Sequence, residues 1–403
     1  MEDSKHKIPR MLMVNDAVPP FISGSSTLTY NLLQGLDTSE SFLVSQSEKG
    51  FSMVKGSGTD NGVKLEIREH KISGLANFFS RGTSIALPHI AVLFKIPKIV
   101  KEAVKVGKEI DAEVVYVNWP STPFAIAGWL TAKRLKKPLV FYLHDLWFET
   151  QKNKVQKLTA KLYEPKIIKD AEKVLVMNPP SGIFITEKYG VKCEVLEHAV
   201  NSEIWPLDKK PVRLPANPQQ IVMLGAVNKY NKDSVVSFSK AVEFFPNLSL
   251  KILTNQTVGD LKAMGLSTAK VSTEFVPRER LQETILEADI LYMALGFETN
   301  VQKEVEVVIP TRLMDYLPTG IPIIAHGPAN TWTLQEAKNR AWGYCINSKE
   351  VKVVTQDLDK FLSGESFEPL IEGAWQESIR RDYKNQSKLL ADYLHAAVES
   401  ANN

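Results

Sequence analysis

The chain has 403 residues, 44% hydrophobic and 24% charged, with a net charge of +3. That length is too great for one ordinary core and predicts two domains of roughly 150–200 residues each, and the balance of apolar and charged residues argues against disorder. The net charge is too small to argue for a nucleic-acid partner, and Cys193 and Cys345 stand far apart without metal-ligand spacing, as expected of a reducing compartment. In chain order, RMLMVND (10–16) reads as a short apolar strand ending in polar residues, and GSSTLTYNLLQGL (24–36) as the helix after it. EVVYVNWP (113–120), PLVFYLHD (138–145) and EKVLVMN (172–178) are further strands, with a helix over 124–135 between the first two. The rhythm restarts with a strand over 220–227, a helix over 233–245, a strand over 248–254, a helix over 278–288 and a strand over 289–295. A helix over 311–318 and a strand over 322–327 complete it. Strands that alternate with helices in this way predict parallel sheets wrapped by helices. The Pro-rich, aperiodic stretch 201–218 is the expected linker. Two Rossmann-like α/β halves follow, with ligands expected at the carboxyl ends of the strands.

Charge is uneven along the chain. Residues 1–205 hold 27 Lys and Arg against 22 Asp and Glu, and the remainder 22 against 24. Lys95, Lys98, Lys101, Lys105 and Lys108 recur at helical spacing, as do Lys152, Lys154, Lys157, Lys161, Lys166 and Lys169. Solvated helix faces explain both stripes. So does attraction to an anionic membrane surface, helped by the apolar run SIALPHIAVLF (84–94) beside the first stripe. No apolar run reaches the roughly 18–20 residues that span a bilayer, and MEDSKHKIPR carries no signal-type apolar segment. The expected location is therefore cytoplasmic, with any attachment peripheral at the inner face of the membrane.

The most informative stretch is VIPTRLMDYLPTGIPIIA (308–325), which sets Arg312 and Asp315 in an otherwise apolar helix closed by Gly320. Its Pro310, Arg312, Leu313, Asp315, Tyr316, Leu317, Gly320, Pro322, Ile323 and Ile324 resemble the donor-binding helix of family-4 retaining glycosyltransferases of the GT-B fold. The resemblance extends over most of the chain, to PPFISGSSTLTYNLL (19–33), VLEHAVNSEIWP (195–206), IVMLGAVNKYNKD (221–233), ADILYMALGFE (288–298) and the C-terminal helical stretch 374–394. It implies two Rossmann-like domains with parallel sheets facing a central cleft. The first would be an acceptor-side domain, 1–205 with a crossover helix over 374–401, and the second a nucleotide-sugar domain, 206–373.

The implied activity is transfer of a hexose-type sugar from a nucleotide-diphosphate sugar to a glycan or lipid-linked acceptor, with retention and without metal or other cofactor. In that reading Asp315 accepts the ribose hydroxyls, and cations in the loop after the first strand of the second domain take the diphosphate. Lys232, with Lys229 as alternative, fills that role. The family's Arg in this loop is replaced by Ala226, and Arg312 stands as its substitute, aided by free N–H groups at its helix end. A plain surface pair of Arg312 with Asp315 is the competing account. Thr311 and Gly225 belong to the same donor site. The family's Glu near the sugar falls on Val307, which leaves Glu298, Glu304 and Glu306 as candidates in a loop expected to be a reshaped lid.

His144 is implied to contact the sugar or its phosphate. Asp145 as a general base would instead imply inversion. Gly24, Ser25 and Ser26 form the expected glycine-rich turn, with one glycine where the family often has two. The triplet Asp357-Leu358-Asp359 imitates a metal-binding motif but sits in a helical pattern and reads as surface. No G-x-G-x-x-G follows the first strand. A non-catalytic nucleotide-sugar or glycan-binding protein of the same fold is the rival from another class.

Overall fold

The structure is a computed structural model that describes residues 5–16, 18–19, 24–46, 66–72, 93–119, 121–151, 153–208, 210–211, 218–298, 300–364 and 367–402. Lys152, residues 84–92 of the apolar stretch and 212–217 of the expected linker lie outside these. The chain forms two units, Met1–Ala199 with Tyr383–Asn403, and Val200–Asp382. The second unit therefore takes in 200–205 and 374–382, which the sequence reading assigned to the first. The Val200 N–H donates to the Arg381 carbonyl at 2.7 Å, and Trp205 and Ala374 are buried in the second unit's core.

In the first unit a two-stranded ladder pairs β1 (His6–Lys7) with β3 (Leu36–Asp37). The main sheet holds β2 (Met11–Val14), β4 (Phe42–Gln46), β5 (Arg68–Ile72), β6 (Val114–Trp119), β7 (Leu139–Leu143), β8 (Lys173–Val176) and β9 (Cys193–Val195). All are parallel, in the order β5-β4-β2-β6-β7-β8-β9. β6 and β7 are buried at every residue, which is why β7 reads as an unbroken apolar run and β6 as one interrupted only at Asn118.

The helices are α1 (Gly24–Gln34), α2 (Ile96–Glu109), α3 (Thr122–Leu135), α4 (Trp147–Thr150), α5 (Lys154–Asp170) and α6 (Pro179–Tyr189). Asn153 and Asn178 start α5 and α6 by accepting the Gln156 and Ser181 N–H groups at 2.8 and 2.9 Å. The chain's last helix, Tyr383–Asn402, returns to this unit and packs on α1. Ser387 there donates to the Leu32 carbonyl at 2.7 Å. The expected continuous C-terminal helix is thus two helices, broken at Arg381 and Asp382.

The second unit repeats the plan with β10 (Gln220–Leu224), β11 (Ser249–Leu253), β12 (Val271–Glu274), β13 (Ile290–Ala294), β14 (Ile323–His326) and β15 (Tyr344–Ile346). They run parallel in the order β12-β11-β10-β13-β14-β15. Between them lie α7 (Lys232–Val242), α8 (Val258–Ala263), α9 (Arg278–Ile285), α10 (Gln302–Val307), α11 (Leu313–Tyr316) and α12 (Trp332–Asn339). α13 (Val351–Leu362) and α14 (Glu368–Arg380) follow. The triplet at 357–359 lies on α13, with Leu358 buried.

The stretch 308–325 is shorter as a helix than its pattern predicts. α11 spans four residues and passes into a 3₁₀ turn, Leu317–Thr319. Gly320 ends it at φ +72°, where a Cβ would lie 2.4 Å from the Pro211 carbonyl oxygen, so only glycine fits.

Candidate functional site

In both sheets the first strand lies centrally and the chain winds outward in both directions, so β2–β6 and β10–β13 are the switch points where such sheets open a crevice at their carboxyl ends. Polar side chains collect at both.

In the first unit Asp16 follows β2 and Ser121 follows β6, and the Ser121 hydroxyl donates to Asp16 Oδ2 at 2.8 Å across the switch point. Asp16 is buried, and burial pushes its carboxyl up to about 6, with the Ser121 hydrogen bond and the charge of Lys95 pulling the other way. His144 leaves the end of β7. It is 2% exposed, edge-on to the Tyr142 ring at 4.4 Å, and neither ring nitrogen has a hydrogen-bond partner among the described residues. Burial holds its imidazole down to about 3, so it is neutral at neutral pH. Asp145 beside it is half-buried.

Trp119 at the end of β6 stacks on Trp147 at the start of α4, ring centres 4.5 Å apart, and both indole N–H groups are buried without a partner among the described residues. Asn118 donates to Thr29 of α1 at 2.9 Å and leaves its Oδ1 unpaired. Gly24, Ser25 and Ser26 are the first three residues of α1 itself, with the Thr29 hydroxyl donating to the Ser25 carbonyl at 2.8 Å.

In the second unit Gly225 follows β10 at φ +96°, a conformation that favours glycine. The Arg312 guanidinium lies against it, with a Cβ built on Gly225 only 3.5 Å from Cζ. Arg312 Nη1 is shut off from solvent and has no hydrogen-bond partner among the described residues, and burial lowers the pKa of the group. The competing account, a surface pair of Arg312 with Asp315, does not hold, since no such pair forms. Asp315 is instead held by Arg278 of α9 in a two-pronged pair, Nη1–Oδ2 at 3.2 Å and Nη2–Oδ1 at 3.1 Å.

The expected free amides at the helix end are also taken. The Leu313, Met314 and Asp315 N–H groups donate to the carbonyls of Pro310, Thr311 and Arg312. Thr311 thus serves through its backbone. Tyr316 ties this segment to the sheet, accepting the Leu224 N–H at 2.6 Å.

The remaining donor candidates gather elsewhere in the unit. A pocket of about 590 Å³ is lined by Lys229, Lys232, Lys240, Lys349, Asp233 and Glu298. Lys229 lies over the Tyr230 ring at 4.5 Å, Lys232 is exposed, and Glu298 pairs with Lys349. Asp233 Oδ2 accepts the Phe297 and Glu298 N–H groups at 2.9 and 2.8 Å, joining the β10 side of the switch point to the β13 side. The expected lid over 296–310 contains α10, with Val305, Val307 and Glu304 buried, and Glu306 pairs with Lys303 at 3.1 Å. Of the three glutamates, Glu298 alone lines this pocket. Among the described residues no group of three or more His, Cys, Asp or Glu side chains could hold a metal ion.

No family model matches the chain, and no curated protein does. Solved structures do. A sucrose-phosphate synthase from Thermosynechococcus elongatus superposes with a TM-score of 0.70 at 10% identity, over 98% of this chain and 100% of that one. HepE from Anabaena, solved with UDP and glucose, gives 0.67 at 11% identity over 96% and 99%. A glycosyltransferase from Rickettsia africae gives 0.64 at 14% identity over 98% and 99%.

The chain has the GT-B fold.

Asp16, Ser121 and Arg278 complete these two GT-B crevices, and the sequence reading missed all three. The polar end of RMLMVND was a visible signal for Asp16. Nothing local marks Arg278, which meets Asp315 only through the fold.

Asp16 yields a prediction with a definite sign. Its folded pKa lies above its ordinary value, so the cost of burying it is absent below about pH 4 and complete above about pH 6. Asp16→Asn keeps an acceptor for Ser121 without the charge. Denaturant unfolding should show it equal to wild type near pH 4 and more stable by about 3 kcal/mol near pH 8. Equal differences at both pH values would show that the carboxylate carries no burial cost.

Proposed function

We propose that this protein is a glycosyltransferase that moves a hexose-type sugar from a nucleotide-diphosphate sugar to a glycan or lipid-linked acceptor, without metal and with retention, in the manner of family-4 GT-B enzymes. The observation that carries this reading is the Arg312 guanidinium, enclosed against the Gly225 turn at the switch point of the second unit with Nη1 unpaired. A buried guanidinium nitrogen without a partner is costly, and a diphosphate oxygen is the acceptor its geometry suits best.

Asp315 stands one helical turn on. Arg278 occupies part of its carboxylate, and a carboxylate has about four lone-pair sites, so capacity remains for two ribose hydroxyls. HepE was solved with UDP and glucose, a ligand class that fits this assignment.

In the first unit His144, at the carboxyl end of β7, is assigned to the sugar. The neutral His144 imidazole offers one donor and one acceptor. His144→Ala should lower kcat about 10²–10³-fold while nucleoside-diphosphate affinity changes little, because the imidazole is assigned to the sugar. Equal losses in both would make it a structural histidine.

A thermal-shift screen against UDP, GDP, dTDP, CDP and their sugars tests the function directly. The matching donor at 100 times its Kd should add about 2.7 kcal/mol of stability, and Asp315→Ala should abolish the shift. Transfer should persist in EDTA. No shift with any nucleotide would leave a non-catalytic chain.

Inversion gains one observation. Asp16 joins Asp145 as a candidate base, since its pKa of about 6 lies near the optimum for a general base at neutral pH. The anomeric configuration of the first-formed product, read by NMR, separates the two.

A further inference from the structure

The first unit carries a surface that catalysis does not use. α2, α3 and α5 form one layer on the sheet. α2 packs on β2, β4 and β5, α3 on β2, β6 and β7, and α5 on β7, and α3 also contacts both of the other helices. α3 is buried from Phe124 to Trp129, whereas α2 and α5 turn one face outward.

On α5 the inward positions are Thr159, Ala160, Glu164, Ile167 and Ile168. The outward ones are Lys154, Lys157, Lys161, Lys166 and Lys169, and among them stand Leu158 at 56% and Leu162 at 49% exposure. The face has no acidic residue before Asp170 at its end, and Asp170 is taken by Lys133 at 2.7 Å and by the Trp129 indole at 2.9 Å. On the α2 side Phe94 is 76% exposed, followed by exposed Lys98, Lys101, Lys105 and Lys108. A pocket of about 440 Å³ opens between α3 and α5, lined by Trp129, Lys133, Pro165, Lys166 and Lys169 as well as Asp170.

Exposed lysines alone would be solvation. Two half-exposed leucines set among five lysines are a different pattern, because water penalises the leucines and an anionic bilayer rewards both residue types. We propose that the outward face of α5, with Phe94 and the lysines of α2, docks this protein onto an anionic lipid bilayer. Leu158 and Leu162 enter the headgroup–acyl boundary, the lysines pair with lipid phosphates, and the pocket at Lys133, Lys166 and Lys169 seats one headgroup. The attachment is peripheral, since among the described residues no helix is long and apolar enough to cross a membrane.

Flotation of the full chain with phosphatidylglycerol vesicles, against phosphatidylcholine vesicles, tests the surface. The protein should rise with the anionic vesicles at 0.05 M salt (roughly, a screening length above 10 Å), stay down with the neutral ones, and be released near 1 M, where that length is about 3 Å. Replacing Lys157, Lys161 and Lys166 together by Gln should weaken partitioning about a hundredfold. Leu158→Ser with Leu162→Ser should weaken it about tenfold.

Both variants should keep the wild-type thermal midpoint and the wild-type rate on a soluble acceptor, so this test is independent of the catalytic proposal. A protein that stays down with anionic vesicles at low salt, or that floats undiminished in either variant, overturns the inference.

Discussion

Arg312→Ala should lower kcat/KM for the nucleotide sugar by about 10²–10³, the usual effect of removing one preorganised donor from a developing anion. The side chain lies on the Gly225 turn, its Nη1 has no hydrogen-bond partner among the described residues, and burial already works against its charge. Removing it therefore takes away no protein hydrogen bond at Nη1 and relieves a desolvation cost. The variant should fold at least as stably as wild type while losing turnover, and that opposition separates a functional arginine from a structural one.

Arg312→Lys should recover only part of the loss, because an ammonium cannot reproduce the planar fork. Lys229 and Lys232 line a separate pocket at the start of α7. Steady-state kinetics with denaturant unfolding of the same preparations checks the claim. Unchanged kcat/KM would move the diphosphate to the lysine pocket.

Arg381→Ala should cost about 3–5 kcal/mol of stability, the largest effect expected outside the crevices. Arg381 is fully buried in the second unit. Its Nε donates to Glu377 Oε1 at 2.7 Å, and its Nη2 donates to both oxygens of Glu336, at 3.1 and 2.9 Å. Glu336 and Glu377 are 3% and 2% exposed as side chains. Truncating the arginine removes two hydrogen bonds from buried Glu336 and one from Glu377, which keeps Arg380.

Arg340 also reaches both carboxylates, at 3.5 and 3.4 Å, but it is 44% exposed, and its removal should cost under about 1 kcal/mol. Burial pushes the Glu377 carboxyl up, yet Arg380 and Arg381 hold it below its ordinary value. The stabilisation Glu377 provides is present above its unfolded pKa and lost as pH falls through the folded one. The wild type should therefore lose more stability than Arg381→Ala on acidification below about pH 4.5, measured by urea unfolding across that range. Equal stability of the two proteins at neutral pH would show that Arg340 and Arg380 suffice.

The sequence alone determined the doubly wound plan. β7 and β13 are buried along their whole length, so each had to be an unbroken apolar run, and that pattern is legible without a structure. The stop at Gly320 was legible for a similar reason, because a left-handed turn at the end of a helix selects glycine. Periodicity also placed the lysines of α2 and α5 on single faces, but it could not say that Leu158 and Leu162 share the outward face. The leucine spacing suits a buried stripe equally well, and burial is decided by what packs against the helix.

Only the tertiary structure decided the pairings. Ser121 and Asp16 are 105 residues apart, and Arg278 and Asp315 are 37 apart. Neither separation carries a local period. Arg312 and Asp315, one turn apart on paper, do not pair: Asp315 goes to Arg278, while the Arg312 guanidinium lies on the Gly225 turn. Local pattern specifies which strands and helices form. Which polar groups meet at their ends depends on strand order in the sheet, and that order is set by packing between distant segments.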